Sequence, residues 1–267
     1  MSLFVALLYL YRLINLDFSR KKSFLAILYL LFSPWAFFFV AVYTESVFLL
    51  LTVLSFYFAK KNKWLSASIS GGLAVICRLS GVFLFVALLA QYIISEKKQN
   101  KKNYKNIFWL ALMPLSLLGF MSYLKARTGS FFSFLSNQTA YNRKFTMPWQ
   151  TIWNELRVFW AYIKTEQIIE ATIIFWVFLA LAISIYLLIK KRKEIGASYS
   201  IYCWLSILIP LFSGTTTSMG RYLLVLFPIF IAAALVENKR FKLIWLSLGL
   251  LTLVYFSFLF VGWYFVG

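Results

Sequence analysis

Three ionisable residues stand among long apolar runs of this sequence. They are Glu45 in "FFFVAVYTESVFLLL", Arg78 in "GGLAVICRLSGVFLF" and Arg221 in "TTTSMGRYLLVLF". The planar guanidinium of arginine suits a phosphate group, and a carboxylate accepts hydrogen bonds from ligand hydroxyls. Because ionisable groups in or beside apolar segments are expensive to bury, these residues are candidates for a polar binding site.

Glu45 and Arg221 each have a structural interpretation as well, and the sequence leaves both open. Glu45 follows Thr44 at the start of an apolar helix, where a carboxylate complements capping and the helix dipole. Arg221 follows a small-residue turn that suits a phosphate. An interfacial anchor is the alternative for this arginine.

Arg78 likewise has two possible interpretations. Its side chain would either extend to the lipid headgroups or hold a phosphate. Gly71, Gly72 and Gly81 surround it in the sequence and would allow a ligand to approach closely. The glycines therefore favour the phosphate interpretation.

The composition indicates an integral membrane protein. The sequence is 62% hydrophobic and 21% aromatic, with a mean hydropathy of +0.81. Lipid offers the backbone no hydrogen-bond partners, and the apolar runs lack the alternation of barrel strands, so the predicted fold is all-α and polytopic. The sequence contains no histidine, and Cys77 and Cys203 lie far apart in apolar segments. Neither a metal site nor a cofactor is therefore predicted.

The basic residues are concentrated in breaks between the apolar runs, as in cytoplasmic loops. These breaks are 20–22, 60–63, 96–105, 190–193 and 238–242. Placing all of them on one side predicts about ten transmembrane helices in a single domain, 1–267. The same map predicts outer turns at 43–46, 78–81 and 213–221, and an outer loop at 125–170. This dispersed charge argues against a nucleic-acid surface, which needs one continuous basic face.

The predicted outer loop has two parts. From Pro148 onward, apolar residues recur at helical spacing: Trp149, Ile152, Trp153, Leu156, Phe159, Trp160 and Ile163. This pattern predicts an amphipathic helix that lies in the membrane interface. The preceding stretch, "RTGSFFSFLSNQTAYNRKFTMP", is rich in hydrogen-bonding side chains and is either a loop over a substrate or a solvated connector.

Four segments resemble those of the PIG-V type mannosyltransferases, the family of the second glycosylphosphatidylinositol mannosyltransferase and its prokaryotic relatives. They are "SPWAFFFVAVYTESVFLLL", "GGLAVICRLSGVFLF", "RTGSFFSFLSNQTAYNR" and "SMGRYLLVLFPIF", in the order of that family. The resemblance implies a GT-C fold that transfers a hexose, usually mannose, from a polyprenyl-phosphate sugar to an acceptor at the outer leaflet. A bacterial or archaeal plasma membrane is the implied location.

The resemblance also implies a set of substrate-binding residues. These are Tyr43, Glu45, Arg78, Asn137, Gln138, Arg143, Ser218 and Arg221. The arginines would face the lipid phosphate, while Glu45 and the Asn137–Gln138 pair would bind sugar or acceptor hydroxyls. A lipid-linked sugar donor and membrane lipid are the implied partners, with apolar walls around the prenyl chain.

The catalytic acid expected from the resemblance is not found in this sequence. The family would carry it in a Trp-Asp type outer loop after a first span, and no segment here corresponds. The only aspartate, Asp17, lies beside a basic break, where it is expected to stabilise a loop. No catalytic residue is therefore assigned, and the chain is expected to be truncated at its start or to lack its catalytic half.

Three alternative functions remain open from the sequence. A lipid-linked oligosaccharide flippase and an O-antigen polymerase or ligase also have many spans, outer arginines and a large outer loop. Transporters tend to contain internal repeats and helices broken at the midplane, and the sequence shows no internal repeat. A noncatalytic partner subunit of a glycosylation complex fits the absent acid.

Overall fold

A computed structural model gives the structure of residues 1–99, 105–133 and 143–266. Within these ranges the chain is helical and contains no strand, as the sequence predicts. The α-helices are α1 (Ser2–Ile14), α2 (Arg20–Leu31), α3 (Glu45–Lys60), α4 (Trp64–Cys77), α5 (Val82–Gln99), α6 (Lys105–Leu110), α7 (Leu112–Thr128), α8 (Pro148–Lys164), α9 (Ile168–Ile195), α10 (Ala197–Leu211), α11 (Met219–Leu224), α12 (Phe227–Ala234) and α13 (Lys239–Val261). Two short 3-10 helices occupy Ala36–Phe39 and Leu79–Gly81.

Four helical segments are long and apolar enough to cross a membrane. They are Leu79–Glu96, Asn106–Thr128, Ile168–Ile195 and Lys239–Val261. The helices α1, α4 and α10 are apolar but shorter than the ~20 residues that a perpendicular span needs. An integral membrane protein is therefore supported, whereas the predicted count of ten spans is not confirmed.

Two of the predicted spans are interrupted at prolines. The helix α2 ends at Leu31, before Pro34, and the chain continues as the 3-10 helix Ala36–Phe39. Near the C-terminus, α11 and α12 are separate helices, with Pro228 in the first turn of α12. Proline lacks an N–H and disfavours helical backbone in the residue before it, so a continuous helix is broken at these positions.

The helix α3 carries a charged residue at each end. Glu45 and Lys60 are the first and last residues of this 16-residue helix, which spans about 24 Å at 1.5 Å per residue. At the far end, Lys60 forms an ion pair with Asp17. The predicted loop-stabilising role of Asp17 agrees with this contact. Lys60, which belongs to the basic break 60–63, therefore lies one helix length from Glu45. Elsewhere in the chain, Lys22 pairs with Glu237 at 3.3 Å.

An aromatic cluster joins α3, α10 and α12 in the core. The ring of Phe56 lies 4.9 Å from Tyr199 and 5.7 Å from Tyr202, with edge-to-face geometry. Phe227 approaches the same ring at 5.6 Å. Such edge-to-face pairs add stability beyond the burial of their area. The cluster therefore fixes the helix α3, which carries Glu45, against the C-terminal half of the chain.

Gly71 and Gly72 have a different role from the one that the sequence suggested. A Cβ at Gly71 would lie 2.6 Å from the Met113 side chain, and a Cβ at Gly72 would lie 2.5 Å from Ser116. These glycines therefore allow α4 to pack closely against α7, as small residues do between membrane helices. The prediction that they admit a ligand beside Arg78 was wrong, because the space is filled by α7.

Candidate functional site: a buried carboxylate between two arginines

Glu45 is the centre of a buried ion-pair cluster. Its side chain is 0% exposed, and its Oε1 atom accepts a hydrogen bond from Arg78 Nη1 at 2.9 Å. The same oxygen accepts from Arg221 Nε at 2.7 Å and lies 2.6 Å from Arg221 Nη2. Hydrogen bonds between ionised groups are shorter and stronger than neutral ones. The single carboxylate therefore holds two arginines that are far apart in the sequence.

A tight turn places Arg78 beside the start of α3. Arg78 follows the last residue of α4 with an extended backbone, at φ −151° and ψ 134°. The 3-10 helix Leu79–Gly81 comes next, and a Cβ at Gly81 would lie 2.6 Å from the backbone of Ala74 and Val75. This return of the chain onto α4 therefore requires glycine at position 81.

Arg221 is placed by the short helix α11 and its unusual start. Ser218, directly before α11, has a φ of +69°, which is uncommon for a residue other than glycine. Two residues later, a Cβ at Gly220 would overlap the indole of Trp35. That indole is fixed in turn, because its Nε1 donates to the carbonyl oxygen of Val266 at 2.7 Å. Close packing on Trp35 therefore sets the position of α11 and of Arg221.

Aromatic rings cover both guanidinium groups. The Arg221 guanidinium lies 4.3 Å from the centre of the Tyr43 ring and 4.9 Å from that of Phe38. The Arg78 guanidinium lies 5.2 Å from the Tyr222 ring. Cations are attracted to ring faces at these distances, and the attraction is stronger away from water. Tyr43, a predicted site residue, is therefore part of the cluster through its ring.

The capping interpretation of Glu45 explains little of this geometry. The side chain of Thr44 makes no capping hydrogen bond at the start of α3, and the Glu45 Oε1 atom is occupied by the two arginines. Its Oε2 atom is buried and has no hydrogen-bond partner among the described residues. Glu45 is therefore the counter-ion of Arg78 and Arg221, a role that neither sequence interpretation included.

A cavity of about 790 Å³ opens beside Arg78, and we call it the basic cavity. Its polar lining includes the arginines Arg78 and Arg143, and no carboxylate is among the lining residues that the structure describes. The remaining wall is largely apolar, with Leu79, Val82, Phe83, Leu117, Met121, Phe132, Ile209, Pro210 and Phe212. Glu45 does not line this cavity, so its carboxylate acts on the cavity through Arg78.

Arg143 reaches the basic cavity because the chain after it pairs with the end of α10. The backbone N–H of Lys144 donates to the Ser213 carbonyl at 3.2 Å, and that of Thr146 donates to the Phe212 carbonyl at 3.0 Å. These two hydrogen bonds hold the return of the predicted outer loop against the 212–213 backbone. Arg143 and Arg78 therefore line one cavity although they come from distant parts of the chain.

A second cavity, of about 310 Å³, has the opposite charge, and we call it the acidic cavity. Two carboxylates, Glu155 and Glu170, line it together with the hydroxyl residues Tyr162, Thr215, Thr216, Thr217 and Ser218. No lysine or arginine is among its described lining residues. Glu155 Oε1 accepts from Thr215 Oγ1 at 2.8 Å and from the Thr216 N–H at 2.9 Å, which ties α8 to the turn before α11.

The two cavities share one wall, the segment 213–222. Ser213 and Tyr222 line the basic cavity, whereas Thr215, Thr216, Thr217 and Ser218 between them line the acidic one. The segment includes Arg221, whose guanidinium is held by Glu45. One short stretch of chain therefore separates an arginine-lined space from a carboxylate-lined space.

The outer helix is present as predicted. The helix α8 begins at Pro148 and ends at Lys164, and Thr151 Oγ1 fixes it by donating to the Leu211 carbonyl at 2.8 Å. Trp149, Trp153 and Trp160 on its apolar stripe are exposed. Exposed tryptophans on one helical face are typical of a membrane interface, so the interfacial location stays a supported prediction.

The predicted site residues fall into four groups. Tyr43, Glu45, Arg78 and Arg221 are brought together in one cluster. Arg143 shares the basic cavity with Arg78, and Ser218 lines the acidic cavity instead. Asn137 and Gln138 lie outside the described residues.

Tyr222, Glu155 and Glu170 are cavity residues that the sequence did not single out. Tyr222 directly follows Arg221, and the available signal for Glu155 was its position off the apolar stripe of the amphipathic helix α8. Nothing in the sequence indicated that Glu155 and Glu170 line one space. No group of three or more Cys, Asp or Glu residues that could hold a metal occurs in the described part of the chain.

Comparison with known proteins supports one class. Residues 1–124 match the family described as dolichyl-phosphate-mannose-protein mannosyltransferase. The matched segment covers a little less than half of the chain and includes Glu45 and Arg78. No curated protein and no solved structure matches the chain. The match supports a membrane mannosyltransferase-like glycosyltransferase of the GT-C class. It gives no support to the PIG-V subtype that the sequence motifs resemble.

Proposed function

We propose that this chain binds a polyprenyl-phosphate hexose in the basic cavity, as the donor site of a mannosyltransferase-like membrane glycosyltransferase. The observation that carries the proposal is the composition of that cavity. Arg78 and Arg143 line about 790 Å³ of space whose other walls are largely apolar. A lipid-linked sugar has the matching chemistry, because an anionic phosphate joins its sugar to a hydrocarbon chain.

The two kinds of lining suit different parts of such a donor. Guanidinium groups form paired hydrogen bonds with phosphate oxygens, so the phosphate is expected at Arg78 and Arg143. The first isoprene units are expected against Val82, Leu117 and Met121, where apolar surface leaves water. The family name of the matched segment and the sequence resemblance both favour mannose as the sugar.

Glu45 has a positioning role in this proposal. Its carboxylate neutralises part of the charge of two arginines that are only 13% and 16% exposed. A buried cation without a partner is costly, so Glu45 compensates the two buried arginines and fixes their side chains before the donor arrives. Arg78 then presents a preset guanidinium at the cavity wall.

The arginines would also assist the chemistry of transfer. When an acceptor hydroxyl attacks the sugar, the polyprenyl phosphate departs with growing negative charge, which positioned cations stabilise. An inverting transfer also needs a base for the acceptor proton, and no described residue lining the basic cavity is a carboxylate. We therefore assign no base. This observation favours donor binding by a noncatalytic subunit as the second candidate function.

Radiolabelled transfer and binding measurements test the proposal. Membranes containing the wild type, Arg143→Ala or Arg157→Ala are given polyprenyl-phosphate mannose carrying labelled mannose. Arg157 is a matched control, because it is an exposed arginine of α8 that contacts the Trp153 ring and lines neither cavity. Retained donor and transferred mannose are both counted.

The outcomes separate the candidates. Arg143→Ala is expected to lower donor retention, while Arg157→Ala behaves as the wild type. Donor retention together with mannose transfer supports the glycosyltransferase. Donor retention without mannose transfer in any preparation supports donor binding by a noncatalytic subunit. Equal donor retention by all three proteins would remove the basic cavity as the donor site.

A further inference from the structure

We infer that the acidic cavity is a second binding site, specific for a neutral, hydroxyl-rich ligand such as the sugar headgroup of a glycosyl acceptor. The cavity holds about 310 Å³, at the lower end of the range for small-molecule sites. Glu155 and Glu170 line it from two different helices, α8 and α9. Four consecutive hydroxyl residues from 215 to 218 also line it.

The lining selects against an anion. Two carboxylates with no lysine or arginine among the described lining residues repel a phosphate group. The donor proposed for the basic cavity is therefore excluded from this one. The two sites are selective for opposite charge although the same segment, 213–222, separates them.

The same lining suits ligand hydroxyls. A carboxylate accepts hydrogen bonds from hydroxyls, and threonine or serine hydroxyls both donate and accept. Glu155 Oε1 is already fixed by Thr215 and Thr216 at 2.8 and 2.9 Å. A fixed acceptor loses less freedom when a ligand binds, which favours recognition of a hydroxyl in a defined place.

Apolar side chains also line the acidic cavity. They are Val158, Ile173, Val177 and Phe265. Sugar rings carry hydroxyls at their edges and C–H groups on their faces, so a mixed wall of this kind suits them better than a small ion. The assignment as an acceptor site rests on the proposed function. Sugar binding by the cavity does not depend on it.

Cysteine protection tests both sites in one protein. The parent is the Cys77→Ala/Cys203→Ala variant, because these are the two cysteines of the chain. Thr217→Cys reports on the exposed rim of the acidic cavity, and Ser80→Cys reports on the basic cavity. Labelling by a maleimide is timed in the detergent-solubilised full chain, with methyl α-mannoside or a polyprenyl phosphate as the probe.

Selective protection is expected. About 0.1 M methyl α-mannoside fills a site with a millimolar Kd and should slow labelling at position 217 at least about tenfold, without effect at position 80. The polyprenyl phosphate should protect position 80 and leave position 217 reactive. Adding Glu155→Gln should remove most of the mannoside protection, whereas the matched change Glu166→Gln, at an exposed residue outside both cavities, should preserve it.

The failures are distinguishable. Three results would each overturn this inference. The first is unchanged labelling of position 217 at about 0.1 M mannoside, and the second is equal protection of position 217 by the polyprenyl phosphate. The third is full mannoside protection of position 217 in Glu155→Gln. If the polyprenyl phosphate gave no protection at position 80, the proposed donor site would be overturned instead. For each variant, protection of the cysteine in the cavity that the substitution does not alter shows that the protein is folded.

Discussion

The basic and acidic cavities are built in different ways on two sides of one segment. In the basic cavity, the position of Arg78 is set by Glu45, a fully buried carboxylate that also holds Arg221. In the acidic cavity, Glu155 is only partly buried and is held by a threonine hydroxyl and one backbone N–H. The basic cavity should therefore be the more sensitive of the two to single substitutions.

The difference has a chemical meaning. A site that holds a phosphate needs fixed positive charge before the ligand arrives, and in a membrane protein that charge must be balanced from within. A site that holds neutral hydroxyls needs acceptors and donors, which partial exposure to water leaves available. In the proposed function, this difference in charge keeps the anionic donor out of the acidic cavity.

The largest expected effect comes from Glu45→Gln. This change leaves two arginines, 13% and 16% exposed, without their shared counter-ion. Breaking a buried charge pair by removing one partner costs about 3–5 kcal/mol. We expect a clear fall in the thermal unfolding midpoint in detergent and the loss of polyprenyl-phosphate protection at position 80. Glu166→Gln is the control, and equal midpoints for the two variants would contradict the counter-ion role of Glu45.

Gly220→Ala should affect both cavities through their shared wall. The added Cβ overlaps the Trp35 indole, and overpacking of this kind costs about 1–3 kcal/mol. Both protection patterns, at positions 80 and 217, should weaken together. Gly119→Ala is the matched control, since a Cβ there meets no atom within 4 Å. If Gly220→Ala impaired one cavity and spared the other, the segment 213–222 would not act as a common wall.

The sequence predicted the helices better than it predicted the contacts between them. Apolar runs and basic breaks are local signals, and they located α3, α4 and the outer helix α8 closely. The ion pairs of Glu45 join residues 33 and 176 positions apart, and no local pattern encodes such a pair. Gly71 and Gly72 show the same limit of sequence analysis. The sequence near an arginine is the same whether a ligand or another helix fills the space beside a glycine.

Arg143→Glu should act on the basic cavity alone. The arginine is replaced by a carboxylate in a space that Arg78 also lines. A hydrogen bond to a charged group contributes about 1.5–3 kcal/mol, so donor affinity should fall at least about tenfold. Titration of polyprenyl-phosphate protection at position 80 measures this loss, while mannoside protection at position 217 serves as the internal reference. Unchanged donor affinity would separate Arg143 from phosphate binding.

The smallest expected effect comes from Thr215→Val, which removes one hydroxyl from the acidic cavity. The substitution keeps the branched shape of the side chain. The lost hydroxyl donates to Glu155 Oε1 at 2.8 Å, accepts from the Thr217 N–H at 3.1 Å and lies 2.7 Å from Thr217 Oγ1. The Thr216 N–H still donates to the same oxygen at 2.9 Å, so the carboxylate stays near its place. Losing the hydrogen bond to Glu155 alone costs about 1 kcal/mol, which predicts a mannoside site at least roughly fivefold weaker by titration at position 217. Polyprenyl-phosphate protection at position 80 should not change, because Thr215 does not line the basic cavity. A parallel loss at both positions would mean that the two cavities are coupled through the segment 213–222 and do not bind independently.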